Sequence, residues 1–265
     1  MIDLRGDNMK FEDKTVIITG GTKGIGEETA LLLASKGANV TIIGRNEQKA
    51  SEIMEKANGQ INFIKCDLSN REQVMQLCNS IKSKFNRVDV LINNASKNSR
   101  FSVLNLDIEE WDSMVELNLT SVFLLTKTVA ELMVKTGTKG RIINVGAVQS
   151  FFPLDSSFAY STVKGAMRSM TKSMAVDLSP HGILVTLVIP GPVYAKANND
   201  EPSKDLDSRA ATLLGRMGRK FEVARLIEFL SSDANTFMTG NEIIIDGGRT
   251  ISRKPDPSEI KENVI

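Results

Sequence analysis

The sequence predicts an α/β domain built on a doubly wound parallel sheet of about seven strands, with helices on both faces. Two observations carry this prediction. Apolar, β-branched runs alternate with amphipathic segments along most of the 265 residues, and a strand, a glycine-rich loop and a helix follow one another near the start. Near-continuous apolar strands separated by helices are typical of a parallel sheet that is covered on both sides. The length is that of a single domain.

The predicted strands are short runs rich in Val, Ile and Leu. In chain order they are residues 15–19, 40–43, 61–64, 88–92, 141–145, 184–189 and 243–245. The predicted helices lie between these strands and carry apolar residues at helical spacing. They are residues 27–36, 71–85, 108–135, 160–178 and 222–230. Because the chain shows neither an internal repeat nor an interdomain linker, we expect residues 11–248 to form one domain.

Three segments depart from this alternation. Residues 1–10 are polar, and we expect a flexible N-terminal extension there. Residues 194–214 are rich in charge and follow a Pro-Gly-Pro turn, which favours a lid over a substrate site. Residues 249–265 carry two prolines and mixed charges, so we expect a loosely held C-terminal tail.

Composition argues against several classes of function. The chain is 41% hydrophobic and 25% charged with a net charge of +1, which does not favour a nucleic-acid partner. Cys66 and Cys78 lack metal-ligand spacing and His181 is the one histidine, so no metal site is expected. Free cysteines and the lack of an apolar signal core favour a cytoplasmic protein. No apolar run of membrane-spanning length is evident, and no membrane partner is expected.

Residues 16–26, VIITGGTKGIG, predict a loop that binds a dinucleotide. A β-branched strand ends at Thr19, glycines follow at Gly20, Gly24 and Gly26, and a helix-period segment comes next. Glycines allow the backbone to approach a pyrophosphate, and a helix N-terminus offers unpaired N–H groups and a positive dipole end. Because the flanking strand and helix are both present, phosphate binding is favoured over a purely structural turn.

The residues after the second and third strands bear on the choice of nucleotide. The second strand ends at Gly44-Arg45, where an NAD-binding protein would carry an acid for the adenosine ribose. Arg45 and Lys23 instead suit the 2′-phosphate of NADP(H), although both could be solvated loop charges. NADP(H) is therefore expected ahead of NAD(H). Asp67 follows the third strand and either caps the next helix, near Ser69, or binds the adenine amine.

Tyr160 and Lys164, in YSTVK, are the candidate acid–base pair. Their i, i+4 spacing places both on one face of a helix. A phenol ordinarily titrates near pH ~10, and a lysine cation beside it favours the phenolate. We therefore expect Lys164 to bring the pKa of Tyr160 toward neutrality, as acid–base catalysis requires. Alone, such a pair is more often a packing pair; the glycine loop makes the catalytic interpretation more specific.

Together these motifs resemble the short-chain dehydrogenase/reductase family over residues 11–248. They are TGGTKGIG at 19–26, Asn93-Asn94-Ala95, Asn118 within ELN, YSTVK, Pro190-Gly191 and Asp246-Gly247-Gly248. The resemblance implies a Rossmann-type fold and an oxidoreductase that acts on a small molecule with a nicotinamide cofactor. It also implies a homodimer or homotetramer formed through helices 108–135 and 160–178.

The resemblance further implies a role for individual residues. Tyr160 would be the catalytic acid/base, Lys164 would hold the nicotinamide ribose and tune Tyr160, and Asn118 would anchor a water in a proton relay. Asp67 would meet the adenine, and the Val193 backbone the nicotinamide carboxamide. The full set of expected cofactor contacts is Gly20, Thr22, Lys23, Gly24, Ile25, Gly26, Arg45, Asp67, Leu68, Asn94, Ala95, Tyr160, Lys164, Pro190, Gly191 and Val193.

Three positions depart from the family pattern. Ala147 stands where the family usually has a catalytic serine, in the segment Asn144-Val145-Gly146-Ala147. That serine binds the substrate oxygen, and losing one such donor typically costs about 10²–10³ in rate. Ser96 replaces a usual glycine, and Ala195 replaces a usual threonine. The cofactor half of the pattern is thus nearly complete, whereas the substrate half is altered.

Three functions remain open. The first is an NADP(H)-dependent reductase of a carbonyl, in which Gln149, Ser150, Ser156 or Ser157 replaces the missing donor. The second is a reductase of a conjugated carbon–carbon double bond, of enoyl type, where the substrate oxygen need not be held in the same way. The third is an NADP(H)-binding protein with little or no turnover, against which the intact Asn118, Tyr160 and Lys164 count. The substrate is not identified.

Overall fold

A computed structural model of the chain describes residues 9–194 and 212–251. The three segments expected to depart from the regular fold extend beyond these described residues. Residues 1–8 of the N-terminal extension, residues 195–211 of the lid and residues 252–265 of the tail lie outside the described residues. Ala195 lies outside them as well.

The chain forms a seven-stranded parallel sheet, as the sequence predicts. In chain order the strands are β1 (Thr15–Thr19), β2 (Asn39–Gly44), β3 (Ile61–Lys65), β4 (Val90–Asn93), β5 (Arg141–Val145), β6 (Leu184–Pro190), β7 (Val193–Tyr194), β8 (Gly218–Arg219) and β9 (Glu242–Ile245). The main sheet has the order β3-β2-β1-β4-β5-β6-β9, and β7 pairs with β8 outside it. The strand order reverses between β1 and β4, where doubly wound folds bind their ligands.

Helices cover both faces of the sheet. They are α1 (Gly24–Ser35), α2 (Glu47–Lys56), α3 (Arg71–Lys84), α4 (Ile108–Val115), α5 (Ser121–Thr136), α6 (Phe158–Leu178) and α7 (Lys220–Ser231). Sequence analysis did not name α2, which fully buries only Ala50 and Ile53, although Met54 and Ala57 continue the same apolar stripe at helical spacing. Its beginning is nevertheless marked by Asn46, whose side chain accepts a hydrogen bond from the backbone N–H of Lys49.

Alternation along β1 divides the core into two layers. Val16 and Ile18 are fully buried against α1, α2 and α7, whereas Ile17 is buried against α3 and α5. A strand buried on both faces has no polar side to expose, which explains its continuous apolar run. This packing fixes the carboxyl end of β1, and with it the beginning of the glycine loop, at the centre of the sheet edge.

A π-helical turn, Glu116–Thr120, joins α4 and α5 into one continuous helix. The sequence analysis expected no segment of membrane-spanning length, yet this helix, Ile108–Thr136, is long and apolar enough by those two criteria. Half of the most apolar 18-residue stretch of this helix is buried inside the protein, and α5 packs against α3. That burial is the pattern of a core helix.

Candidate active site

Tyr160 and Lys164 lie one turn apart near the beginning of α6, and both line one cavity of about 310 Å³. Lys164 is buried, with 1% of its surface exposed, and its Nζ donates a 2.9 Å hydrogen bond to the carbonyl of Val145 at the end of β5. The same Nζ lies 5.8 Å from the centre of the Tyr160 ring. The structure therefore brings the predicted pair together at the carboxyl edge of the sheet.

Burial sets the protonation of both groups. The protein around the Tyr160 hydroxyl raises its pKa to about 12, although a hydrogen bond with Ser96 acts in the opposite direction. Burial lowers the pKa of Lys164 to about 8. The expectation that Lys164 draws the phenol pKa toward neutrality is therefore wrong for this structure, because desolvation disfavours both charges. At neutral pH, Tyr160 is protonated and most Lys164 is charged.

Asn118 lies within the π-helical turn and is completely buried. Its side-chain Nδ2 donates to the carbonyl of Met114 at 3.0 Å, and its Oδ1 accepts from the hydroxyl of Ser96 at 2.9 Å. Single π turns inside α-helices occur frequently at functional sites. Here the turn directs Asn118 toward the Ser96 hydroxyl, and Ser96 lines the same cavity as Tyr160.

The glycine loop is packed so closely that two of its positions require glycine. Gly20 has φ +66°, and a Cβ there would lie 2.8 Å from the Cα of Ala95. A Cβ on Gly26 would fall on the carbonyl oxygen of Gly20. The Asn94 side-chain amide donates to the carbonyls of Thr19 and Gly20, at 3.0 and 3.2 Å. These contacts hold the loop and the beginning of α1 beside the cavity.

Arg45 and Asp67 meet at the ends of β2 and β3. The Arg45 side chain is 72% exposed, and its Nη1 lies 3.4 Å from Oδ2 of Asp67. Although burial would raise the pKa of Asp67, hydrogen bonds from Ser69 and the charge of Arg45 hold it below its usual value. The helix-cap alternative for Asp67 and Ser69 is wrong, because Asn70 caps α3 and accepts from the N–H of Gln73.

The predicted cofactor residues divide into two groups. Those that line the cavity are Ile25, Asn94, Tyr160, Lys164, Pro190, Gly191 and Val193. Those that do not line it are Gly20, Thr22, Lys23, Gly24, Gly26, Arg45, Asp67, Leu68 and Ala95. The second group belongs to the glycine loop and to the segments that follow β2, β3 and β4. The predicted set thus runs along one edge of the sheet, from β3 to the cavity beside α6.

Sequence analysis missed two polar residues of the cavity, besides apolar ones such as Phe152 and Leu154. Ser96 stood out only as a departure from a pattern, and Arg249 was assigned to the tail, yet both line the cavity together with Ala147. Of the four candidate replacements for the missing donor, Gln149 alone lines it. The Ser150 hydroxyl instead donates to the Ala147 carbonyl at 2.8 Å. The contacts of Ser96 and Arg249 depend on folding across the chain, so no local signal could have revealed them.

The fold and the cleft define a class, the nicotinamide-dependent oxidoreductases with a doubly wound sheet. A family model described as short chain dehydrogenase matches residues 14–206, and the chain belongs to that family. The family prediction from sequence is therefore confirmed, as is the fold class.

Several relatives match nearly the whole chain. A cyclopentanol dehydrogenase of Comamonas testosteroni is 35% identical over 247 residues, covering 91% of this chain and 98% of that protein. The 3-oxoacyl-(acyl-carrier-protein) reductase FabG of Thermotoga maritima is 32% identical, covering 92% and 100%. The crystal structure of an acetoin dehydrogenase from Enterobacter cloacae has a TM-score of 0.84 and 32% identity, covering 92% and 98%. The chain is thus an oxidoreductase of a family that uses nicotinamide cofactors.

Proposed function

We propose that this protein is an NADP(H)-dependent oxidoreductase that transfers a hydride to the carbonyl of a small-molecule substrate, with Tyr160 as the acid/base. One observation carries the proposal: Tyr160 and Lys164 share a cavity with Ile25 of the glycine loop and with Gly191 after β6. The glycine loop and the open cleft fit a dinucleotide, whose nicotinamide supplies the hydride when bound.

Tyr160 is suited to act as a general acid in reduction. Its raised pKa keeps the phenol protonated at neutral pH, so it can give its proton to the carbonyl oxygen as the hydride reaches the carbonyl carbon. The charged Lys164 then stabilises the phenolate that remains. In the reverse direction the phenolate would take the proton of an alcohol. The resting site is therefore in the protonation state that the reduction step requires.

The charges at the far end of the cleft support NADP(H) over NAD(H). Arg45 follows β2 where an acid would bind the ribose of NAD, and Lys23 is the N-cap residue of α1. The Arg45–Asp67 ion pair is long and exposed, and such pairs contribute little free energy. Arg45 can therefore leave Asp67 for a phosphate at small cost, and a phosphate accepts its hydrogen bonds with better geometry.

We expect Arg45→Met to weaken NADPH binding by about tenfold to a hundredfold, because it removes a charge-assisted hydrogen bond. NADH binding should be unchanged, since NADH has no 2′-phosphate. Fluorescence titration of both nucleotides measures this. Lys84→Met is the matched control. It removes an exposed charge at the last residue of α3, at the end of that helix away from Asp67, and should alter neither affinity. Tighter binding of NADH than of NADPH by the unmodified protein would overturn the assignment.

The names of the relatives favour a carbonyl over a carbon–carbon double bond as the acceptor. Cyclopentanol, acetoin and a 3-oxoacyl group each contain an alcohol or a ketone. Ala147 occupies the cavity wall at the position where we place the family serine. The substrate oxygen must then depend on Tyr160 and on another donor. Gln149 is the one candidate named from the sequence that lines the cavity.

The proposed reaction is tested by NADPH oxidation with small cyclic and acyclic ketones, a 3-oxoacyl thioester, and conjugated enones. We expect turnover of ketones, and only a modest change in Ala147→Ser because another donor already serves the substrate oxygen. A rise of about 10²–10³ in the rate of Ala147→Ser would show instead that no donor replaces the serine. Reduction of enones alone would favour the enoyl-type alternative. Binding of NADPH without turnover of any of these compounds would favour a non-catalytic protein.

We also propose that the protein is a homodimer or homotetramer. Apolar side chains on α5 and α6 are exposed, among them Phe123 at 51% and Val176 at 72%. Exposed apolar residues on one pair of helices favour an interface between copies of the chain.

A cytoplasmic location fits Cys66 and Cys78, which are free and buried.

A further inference from the structure

We infer that Arg249 determines substrate specificity, and that the carbonyl compound it selects is a short oxo acid whose carboxylate binds the Arg249 guanidinium. The inference rests on the proposed function and deepens it, because it assigns a substrate class to the cavity that Arg249 shares with Tyr160 and Lys164. The acid–base chemistry of Tyr160 makes no use of Arg249.

A short turn at the end of β9 presents Arg249 to the cavity. Asp246 directly follows β9, and its Oδ1 accepts from the N–H of Gly248 at 2.8 Å while its Oδ2 accepts from the N–H of Thr250 at 2.6 Å. The backbone N–H of Arg249 donates to the carbonyl of Asp246 at 3.2 Å. The backbone is thus held on both sides of Arg249, which fixes the point from which its side chain extends.

Two close approaches pack this turn against its neighbours. Gly191 follows β6, and a Cβ there would lie 2.6 Å from the Cα of Asp246. Gly248 has φ +83°, and a Cβ on it would lie 2.7 Å from the Leu213 side chain. The turn is therefore packed against both the end of β6 and the segment before β8, and Arg249 is a fixed part of the cavity wall.

The described lining of the cavity includes two cations and no carboxylate. Lys164 and Arg249 are the cations, and among the described residues that line the cavity there is neither Asp nor Glu. Asp246 lines a separate, smaller cavity of about 80 Å³. A guanidinium has five N–H donors, so one edge of Arg249 can bind an anion while its other donors bond elsewhere. This charge distribution favours a substrate with an anionic group.

The cofactor does not supply the anion for Arg249. We expect the phosphates of a dinucleotide at the glycine loop, and Gly20, Gly24 and Gly26 do not line this cavity. The nicotinamide end of NADPH carries no negative charge. An anion that reaches Arg249 therefore belongs to the substrate.

The other walls of the cavity favour a carboxylate on a short carbon chain. Val148, Phe152 and Leu154 are apolar and line the same cavity of about 310 Å³ as Tyr160 and Arg249. A carboxylate places both of its oxygens on one guanidinium edge. A phosphate would bring a further oxygen and a second charge into the same space. A short oxo acid therefore fits, with its carbonyl at Tyr160 and its carboxylate at Arg249.

Matched pairs of substrates test the inference. We expect kcat/KM for levulinate and acetoacetate to exceed that for levulinamide and acetoacetamide by about tenfold to a hundredfold. Each amide has nearly the size and shape of its acid and lacks the charge. Arg249→Met should remove the preference by raising KM for the acids, with kcat/KM for the amides within about twofold of the unmodified protein. Arg249→Lys keeps the charge without the planar fork and should keep part of the preference.

Arg219→Met is the matched control. It removes an exposed arginine from β8 that does not line the cavity, and it should leave the preference for the acids unchanged. NADPH affinity should stay within about twofold of the unmodified protein in all three variants. Weaker NADPH binding in Arg249→Met, with an unchanged far-ultraviolet circular dichroism spectrum, would assign Arg249 to the cofactor and overturn the inference.

Calorimetric titration of the NADP⁺ complex with levulinate and levulinamide provides a readout that needs no turnover. The acid should bind about tenfold or more tightly than the amide, and most of that difference should disappear in Arg249→Met. Equal affinity for acid and amide in the unmodified protein, or a preference of the same size in Arg249→Met, would overturn the inference. A preference that depends on Arg249 without reduction of any carbonyl compound would instead overturn the proposed function, so the two failures are distinguishable.

Discussion

Tyr160→Phe is expected to remove turnover while leaving cofactor affinity within about twofold of the unmodified protein. The substitution deletes the hydroxyl and keeps the ring, so the packing of α6 at the cavity wall is preserved. The reaction then lacks its proton donor, and general acid catalysis is worth about 10²–10⁴ in rate. Steady-state rates of ketone reduction and NADPH fluorescence titrations measure the two quantities separately.

The matched control for this substitution is Tyr194→Phe, which removes the other phenol of the chain from β7. It should retain both turnover and NADPH binding. If Tyr160→Phe retained a tenth or more of the rate, the acid would have to be another group. The water held near Asn118 in the family pattern would then become the first candidate. Loss of NADPH binding in Tyr160→Phe would instead point to a structural role for the hydroxyl.

The fold could be predicted because its strands are buried on both faces. Such strands read as unbroken apolar runs, and residues 15–19 and 141–145 were predicted with the bounds that the structure shows. Helix α2 was not named because it is short and largely charged, although Ala50, Ile53, Met54 and Ala57 form an apolar stripe at helical spacing. The pairing of β7 with β8 was not predicted either, since two-residue strands carry no periodicity.

The chemistry of the site was less predictable than its location. Spacing alone placed Tyr160 and Lys164 on one face of a helix, and both line the cavity. Their pKa values, however, depend on how much protein surrounds them, which a motif does not state. Burial raises the pKa of Tyr160 and lowers that of Lys164, so the expected shift of the phenol pKa toward neutrality was wrong for this structure.

The contact between Ser96 and Asn118 could not be predicted for a related reason. The residues belong to different elements, and the π turn that directs Asn118 is one residue wider than an ordinary helical turn. The sequence 116–120, ELNLT, has no proline or glycine that would mark the change. Only the packed structure shows that serine at position 96 reaches this buried amide.

Lys164→Met is expected to change how the stability of the protein depends on pH. The fold lowers the pKa of Lys164 from 10.5 to about 8, so the unfolded chain holds a proton in that window which the folded chain does not. Stability of the unmodified protein should therefore rise with pH from about 8 to about 10.5 relative to Lys164→Met. The difference in unfolding free energy should change by about 3 kcal/mol across the window. Urea unfolding at several pH values measures it.

Below pH 8 the unmodified protein carries the whole cost of a buried charge, which Lys164→Met removes together with the hydrogen bond to Val145. The variant should thus be inactive yet at least as stable at neutral pH, the combination that marks a residue kept for chemistry. Lys172→Met, which removes an exposed ammonium from the same helix, is the control and should show no such change with pH. If the unfolding free energies of Lys164→Met and of the unmodified protein changed with pH in the same way, folding would leave the pKa of Lys164 unaltered. Lys164 would then stabilise the phenolate without a desolvation cost.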